Sequence, residues 1–450
     1  MKRKEQLSAA PLAGKVFSNT FFSIVDVLLL KASTVLAFVL LVRLLPNEDI
    51  AAIGIATGYL IFVQHLDVGP IRVLLRDYAK IAGDQRRRDE LLTALFAFWG
   101  VQALAMLLVV AILVVWIFEP MPIEGISHLF IAMAIDFLAL TLHGWIKVVY
   151  FADFQQRIAT RISVMLGAVR FLSYGLLFVW PELTTYSVIL VAFAVVGSVV
   201  WMVAFQRRFK YRPVWHRGSP RILINSLADY GLWNHFNRIV IDTLFTVDLV
   251  VLSWFVGVKD MSSYTIALKF ASLLTLVPAQ ISAALQIASA KFSDPEKQRQ
   301  VVNSILKING IVSLAQFAVI LVIGNWLMTI LFGAEATAGS FLYAMIIAGA
   351  VTVFNTVYPL IGLINNFCSL RKAFLLVFLP GLVFGIVAYA ISGGLYGALG
   401  MAWANVVAYA GLAGGLLLFV SRSYSLSPAW KILTTEEARI LKQLFSRGRG

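Results

Sequence analysis

Long apolar runs constrain this chain more than any other feature. Val101–Phe118, Ile239–Val258 and Ile311–Phe332 carry few charges and show no alternation. A bilayer core asks for about 20 apolar residues as helix, and only a helix or a closed barrel satisfies its backbone there. A spanning barrel would show stretches of roughly ten residues with alternating polarity, and none is present. Composition agrees: 60% of residues are hydrophobic and 13% charged, against about 25% charged in soluble domains. The pattern predicts an all-α polytopic membrane protein of about 12 transmembrane helices. The spans fall near 16–45, 50–78, 90–118, 126–150, 158–180, 184–206, 230–258, 262–290, 302–332, 338–364, 372–392 and 395–420.

The basic residues orient these spans. The chain has 37 Lys and Arg. Five lie inside apolar runs, and two, Arg43 and Lys259, lie in outer loops. The others fall at the N-terminus, in alternate loops around Arg72–Arg88, Lys147–Arg161, Arg207–Arg221, Lys291–Arg299 and Arg371–Lys372, and in the tail. Cytoplasmic loops collect Lys and Arg, so both termini are expected in the cytoplasm. The net charge of +14 then reports orientation, and nucleic acid is excluded as a partner. The lone cysteine, Cys368, allows no internal disulfide and no cysteine metal site. It is expected on the cytoplasmic side between spans ten and eleven. The first apolar stretch, Val16–Leu45, is too long for a signal-peptide core and reads as a retained helix.

The outer loops at Pro181–Thr184 and Ser392–Leu395 are little more than turns. The longest inner loop separates two sets of six helices, giving a first bundle at 1–206, a linker at 207–229 and a second bundle at 230–450. The halves resemble each other weakly. Asn47–Tyr59 (NEDIAAIGIATGY) aligns with Val258–Phe270 (VKDMSSYTIALKF), pairing Asp49 with Asp260, Ile53 with Tyr264, Ala56 with Ala267 and Tyr59 with Phe270. Six helices separate the copies, which implies a parallel repeat with a transport path between two lobes.

Ionisable residues inside the spans are the candidate functional groups. They are Asp26 and Lys31 in span one, Asp136 in span four, Arg170 in span five, and Arg238, Asp242 and Asp248 in span seven. Lys269 lies in span eight and Lys307 in span nine. A lipid-facing cation at a helix centre costs about 2.5–3.5 kcal/mol, so five would cost on the order of 15 kcal/mol. That rivals the whole stability of a typical protein, about 5–15 kcal/mol. Most must therefore face an internal wet cavity or pair with one another. Lys31, Arg170 and Lys269 lie deepest and read as cavity residues. For Arg238 and Lys307, near the inner boundary, snorkelling stands beside the cavity reading. Asp136 reads as structural, and Arg86–Arg88 as an orientation signal. Arg238 and Asp242, four apart, can pair on one face. Ser262, Thr265, Lys269, Ser272 and Gln280 fall on one stripe of span eight. Pro278, Pro359 and Pro380 can kink their helices. No Walker loop, HExxH or GxSxG is present, and no sizeable outer loop is available for chemistry, so no enzyme is expected.

Several stretches resemble the polysaccharide flippases (Wzx-type repeat-unit translocases) of the multidrug, oligosaccharidyl-lipid and polysaccharide exporter superfamily. Leu66–Arg76 (LDVGPIRVLLR) is similar to a segment that follows the family's second helix. Leu331-Phe332-Gly333 closes span nine as the family's LFG does. Tyr396–Ala402 (YGALGMA) resembles its YGALGAA at the start of helix twelve, Met401 departing from the usual small residue. Pro278 sits where the family has a proline. The resemblance implies a MATE-like exporter fold of two six-helix bundles and an alternating-access cavity. It implies a polyprenyl-diphosphate-linked oligosaccharide as cargo at the bacterial inner membrane, within lipopolysaccharide or exopolysaccharide synthesis.

On this reading Lys31, Arg170, Arg238, Lys269 and Lys307 receive the diphosphate. Asp26, Asp242 and Asp248 act as counter-ions or carry coupling ions. No cofactor or metal is needed, and a proton or sodium gradient is the coupling source it admits. Membrane lipids and the polysaccharide polymerase machinery are the implied partners. Two rivals stand beside it. A MATE-like drug or organic-cation antiporter should favour an acidic or aromatic cavity. A membrane glycan polymerase, ligase or acyltransferase should show an outward Arg, His or Asp cluster.

Overall fold

The computed structural model describes residues 33–68, 84–153, 155–215, 232–279, 295–367 and 369–424. Every regular element among them is helical. Eight helices among the described residues are long and apolar enough to cross a membrane. Their outer sides leave large apolar side chains bare: Val322 is 82% exposed, Trp116 75% and Leu172 74%. Apolar surface of this extent suits lipid, not water. The chain is an all-α, multi-pass membrane protein, and it divides into two compact units, Met1–His235 and Phe236–Gly450.

The first unit begins with α1 (Ser33–Leu44) and α2 (Asn47–Gln64). It continues with α3 (Gln85–Leu113) and a π turn to Phe118, then α4 (Ile126–Ala152), α5 (Gln156–Ser173) with a 3-10 turn to Phe178, and α6 (Leu183–Phe209). Span two was expected to reach residue 78; α2 ends at Gln64 and residues 65–68 are not helical, while 69–78 lie outside the described residues. Side chains serve the carbonyls just past the end. Gln102 Nε2 donates to Leu66 at 3.2 Å, and His235 Nε2 lies 2.9 Å from that of His65.

Contacts fix the directions of the next three helices. His143 meets Ser198 at 3.2 Å, and Lys147 stands 5.7 Å over the Trp201 ring. These pairs advance together, so α4 and α6 run parallel. Arg170 meets Asp136, and Tyr174 packs near Tyr186, so α5 runs opposite to both. That is the order strict membrane alternation requires. Where α3 begins and α6 ends, Arg88 donates 2.7 Å to the carbonyl of Phe209, the last residue of α6. Arg88, read from sequence as an orientation signal, satisfies a helix C-terminus. The backbone N–H groups of Arg212 and Val214 donate to Asp89 and Thr93 at 3.4 and 2.9 Å, tying the start of the expected linker to α3.

The second unit holds α7a (Leu232–Leu244, its first residues in unit one), α7b (Val247–Leu252), α8 (Val258–Ser272), α9 (Pro295–Phe332), α10a (Ala334–Val357) and α10b (Pro359–Phe367). Two further helices, α11 (370–396) and α12 (398–424), complete it. Span seven was expected to be continuous from 230 to 258. It breaks at Phe245–Thr246, where Thr246 leaves helical geometry at φ −138°. The Tyr389 hydroxyl lies 3.1 Å from the Leu244 carbonyl at that break.

Two glycines make the tight reversals. Gly333 has φ 92° and ψ 162°, and Gly397 has φ 58° and ψ −139°, backbone regions open to glycine and costly for any other residue. Helices on either side fold back together. A Cβ on Gly324 would lie 3.5 Å from Phe341, and one on Gly349 would lie 3.5 Å from Phe317. Likewise one on Gly381 would lie 3.1 Å from Leu412, and Tyr389 bonds to Asn405 at 2.9 Å. The 53-residue apolar stretch Leu370–Arg422 is therefore two crossings. The turn expected at Ser392–Leu395 lies instead at Gly397. A Cβ on Gly400 would collide with the carbonyl of Ser392. Both glycines of the YGALG stretch thus have a steric reason to be there.

The repeat has a structural counterpart. Asp49 is the third residue of α2 and Asp260 the third residue of α8. Ile53, Ala56, Tyr59, Tyr264, Ala267 and Phe270, the aligned positions, are all buried.

Candidate functional site

Asp26 and Lys31 lie outside the described residues, as do Gln280 and Cys368. Arg170 belongs to the first unit. Arg238, Asp242, Asp248, Lys269 and Lys307 belong to the second.

Arg170 is fully engaged. Its two terminal nitrogens donate to the Asp136 carboxylate at 3.1 and 2.7 Å, and Nε donates to the Tyr174 hydroxyl at 3.1 Å. Its guanidinium carbon stands 5.1 Å over the Phe193 ring. Side-chain exposure is 21% for Arg170 and 11% for Asp136. A planar fork matches a carboxylate or a phosphate in the same two-pronged way. The aromatic face adds attraction for the cation. Asp136, read from sequence as structural, is the resident anion of the Arg170 site.

Arg238 and Asp242 form the expected one-turn pair, Nε to Oδ2 at 3.6 Å, with side chains 46% and 49% exposed. That exposure makes the pair a loose, solvated one. Lys269 and Lys307 are both half-buried. The polar stripe of α8 divides: Ser262 and Thr265 are buried, while Ser272 is exposed.

Asp248 sits in the first turn of α7b and is completely buried. Its carboxylate is held by neutral donors. Tyr264 from α8 donates at 2.6 Å, the Leu249 N–H at 2.9 Å, and Asn405 Nδ2 from α12 lies at 3.2 Å. Asn405 Nδ2 also donates to the Tyr264 hydroxyl at 2.7 Å, and Asn405 Oδ1 takes the hydroxyl of Tyr389 from α11 at 2.9 Å. Four helices meet at this node. The sequence reading, built on ionisable groups, missed Tyr264, Tyr389 and Asn405. An amide in the middle of an apolar run is the signal that would have found Asn405, since lipid gives it no partner. No group of three or more His, Cys, Asp or Glu among the described residues forms a metal cluster.

No family model matches the sequence, and no curated protein does either. Solved structures do. A lipid II flippase, MurJ, in an inward closed conformation superposes with a TM-score of 0.68 at 14% identity, over 89% of this chain and 87% of that one. An inward-facing multidrug resistance MATE family transporter of the MOP superfamily gives 0.67 at 13% identity, over 89% and 96%. The eukaryotic MATE transporter AtDTX14 gives 0.62 at 13% identity, over 96% and 99%. The chain has the fold of these transporters across most of its length.

Proposed function

We propose that this protein is a flippase. It carries a polyprenyl-diphosphate-linked oligosaccharide from the cytoplasmic to the outer leaflet of a bacterial inner membrane, by alternating access, for surface polysaccharide synthesis. The observation that carries the reading is Arg170. Inside an apolar helix it holds a two-pronged carboxylate against an aromatic face, a geometry a diphosphate can take over. The shared fold with a lipid II flippase supports the same substrate class, and the Wzx-like motifs point to an oligosaccharide cargo. Lys31, Arg238, Lys269 and Lys307 join Arg170 as anion receptors in this reading. Asp242 is the exchangeable partner of Arg238, and Asp248 is the group that carries a coupling proton. The same fold serves multidrug MATE transporters, and an organic cation would instead seek the acidic side of these pairs.

Reconstitution in liposomes tests the choice. The protein should move a fluorescent polyprenyl-diphosphate oligosaccharide between leaflets, and Gln at Lys31, Arg170 or Lys269 should slow it at normal protein levels. Movement of a lipophilic organic cation without any lipid-linked sugar would replace this reading with the drug-antiporter one.

A further inference from the structure

Past Ser272, α8 runs on through a 3-10 turn (Leu273–Thr275) to Ala279; Pro278 in that extension and Pro359 at the head of α10b each lack an N–H. Each therefore withdraws the helical donor from the carbonyl four residues earlier. For Pro278 that carbonyl belongs to Leu274, and for Pro359 it belongs to Asn355. A buried asparagine serves both. Asn355 Nδ2 donates to the Leu274 carbonyl at 3.0 Å. Asn309 Nδ2, from α9, donates to the carbonyl of Asn355 itself, which also accepts the N–H of Tyr358 at 3.2 Å. Asn309 and Asn355 are both fully buried. One residue, Asn355, thus receives α9 through its backbone and supplies α8 through its side chain.

We infer that Asn309 and Asn355 are positioning residues that couple the 3-10 turn ahead of Pro278 to the break of α10 at Pro359, so that the two helices change shape together. Bending α8 alone would strip the Leu274 carbonyl of its donor in an apolar interior, where an unpaired polar group is costly. Turning α10 alone at its break would carry the Asn355 side chain away and have the same result. Joint movement keeps both bonds. The Oδ1 atoms of Asn309 and Asn355 are buried without a hydrogen-bond partner among the described residues, so each amide keeps an acceptor that a second arrangement can use. Two discrete arrangements are what coupling between sites requires. Lys269 lies five residues before Leu274, and Lys307 two residues before Asn309. Under the flippase reading, anion capture at either lysine would act on helices joined by this relay. That last link rests on the flippase reading; the coupling of the kinks does not.

The proline requirement gives a direct test without substrate. Pro278→Ala restores an N–H for Leu274 and removes the need for Asn355. In purified protein, Asn355→Leu should lower the melting midpoint, and should lower it by less than half as much in the Pro278→Ala background. If Asn355→Leu yields no folded protein, Pro278→Ala should recover it. Additive losses, or a double variant that stays unfolded, overturn the relay.

Coupling is read separately by spin-label distances between Val277 on α8 and Leu314 on α9, both exposed, in a Cys368→Ser background. Pro359→Ala should shift that distance when Asn355 is present, and should not when Asn355 is Leu or Ser. No shift with Asn355 present, or an equal shift without it, means the kinks move independently. A failed lipid transport assay would leave these outcomes untouched.

Discussion

Each unit buries a carboxylate among its helices, and the two neutralise it differently. In the first unit, Asp136 meets the full charge of Arg170 through a two-pronged bridge. In the second, Asp248 meets, among the described residues, a phenol, an amide and a backbone N–H. The bridge cancels charge and fixes α5 against α4, but it makes each partner dependent on the other. The neutral node ties α7b, α8, α11 and α12 together with no cation among the described residues bonded to it, so within them Asp248 can gain a proton without leaving a positive charge behind. A site that must trade anions suits the first solution. A site that must take up and release a small cation or proton suits the second.

The largest expected effect separates the two directly. Asp136→Ala leaves Arg170 without its anion among apolar neighbours and should cost about 3–5 kcal/mol, seen as a collapse of membrane abundance or of the melting midpoint in detergent. Replacing both residues by Leu should restore most of that stability, because removing a buried pair together is often neutral. A mild Asp136→Ala phenotype would mean that Arg170 reaches water and that the contrast between the units is false.

The next effect concerns the backbone of the second unit. Gly397→Ala forces a side chain into a region open to glycine and should cost about 1–3 kcal/mol, and Gly333→Ala should cost a similar amount. Gly400→Ala should be at least as harmful, since its Cβ meets the Ser392 carbonyl. Melting curves of the three variants check this. Tolerance at Gly400 would show that α11 and α12 can separate at their turn.

Much of this architecture is legible in the sequence because lipid imposes it. Span positions follow from apolar runs, and the parallel course of α4 and α6 is what alternation demands. The Arg238–Asp242 pair was readable because both partners lie on one helix, four residues apart. The partner of Arg170 was not, because Asp136 comes from another helix, and nothing in either periodicity says which faces meet. The break in α7 was hidden too. Thr246 is an ordinary helix residue in composition, and the group that serves the break, Tyr389, lies far along the chain. Asn309, Asn355 and Asn405 escaped a search that started from ionisable groups and one polar stripe, although lipid penalises an unpartnered amide as well. The reversals at Gly333 and Gly397 were present in the motifs as letters. Only the backbone angles give the reason for them.

A smaller effect sharpens the neutral side of the comparison. Asp248→Asn keeps the shape of the node, and the Tyr264 and Asn405 groups retain acceptors within it, so the stability change should stay within about 1.5 kcal/mol. If Asp248 carries a coupling proton, transport should lose its dependence on a pH gradient while the protein melts almost as before. Full retention of gradient dependence would remove Asp248 from the coupling role. A melting loss as large as that of Asp136→Ala would show that the node relies on charge after all.

The smallest effect tests the Arg238–Asp242 pair, expected from sequence and found in the structure. Sequence alone places Arg238 and Asp242 in a low-dielectric span, where losing Asp242 would strand a cation while losing Arg238 would leave a carboxylate able to protonate. Yet both side chains are about half exposed, with a separation of 3.6 Å. Water then screens the charges, and an exposed pair one turn apart is worth about 0.3–0.5 kcal/mol. Arg238→Ala, Asp242→Ala and the double variant should therefore differ little in melting midpoint, with a coupling near that size. Their transport rates need not follow. If Arg238 receives the diphosphate, Arg238→Ala should slow lipid movement, Asp242→Ala should leave it intact or raise it by removing a competitor, and the double variant should match Arg238→Ala. A double-mutant cycle on both readouts separates these roles. Equal slowing by the two single variants, with additivity in the double, would remove Arg238 from the receptor set and leave it as a snorkelling cation at the inner boundary.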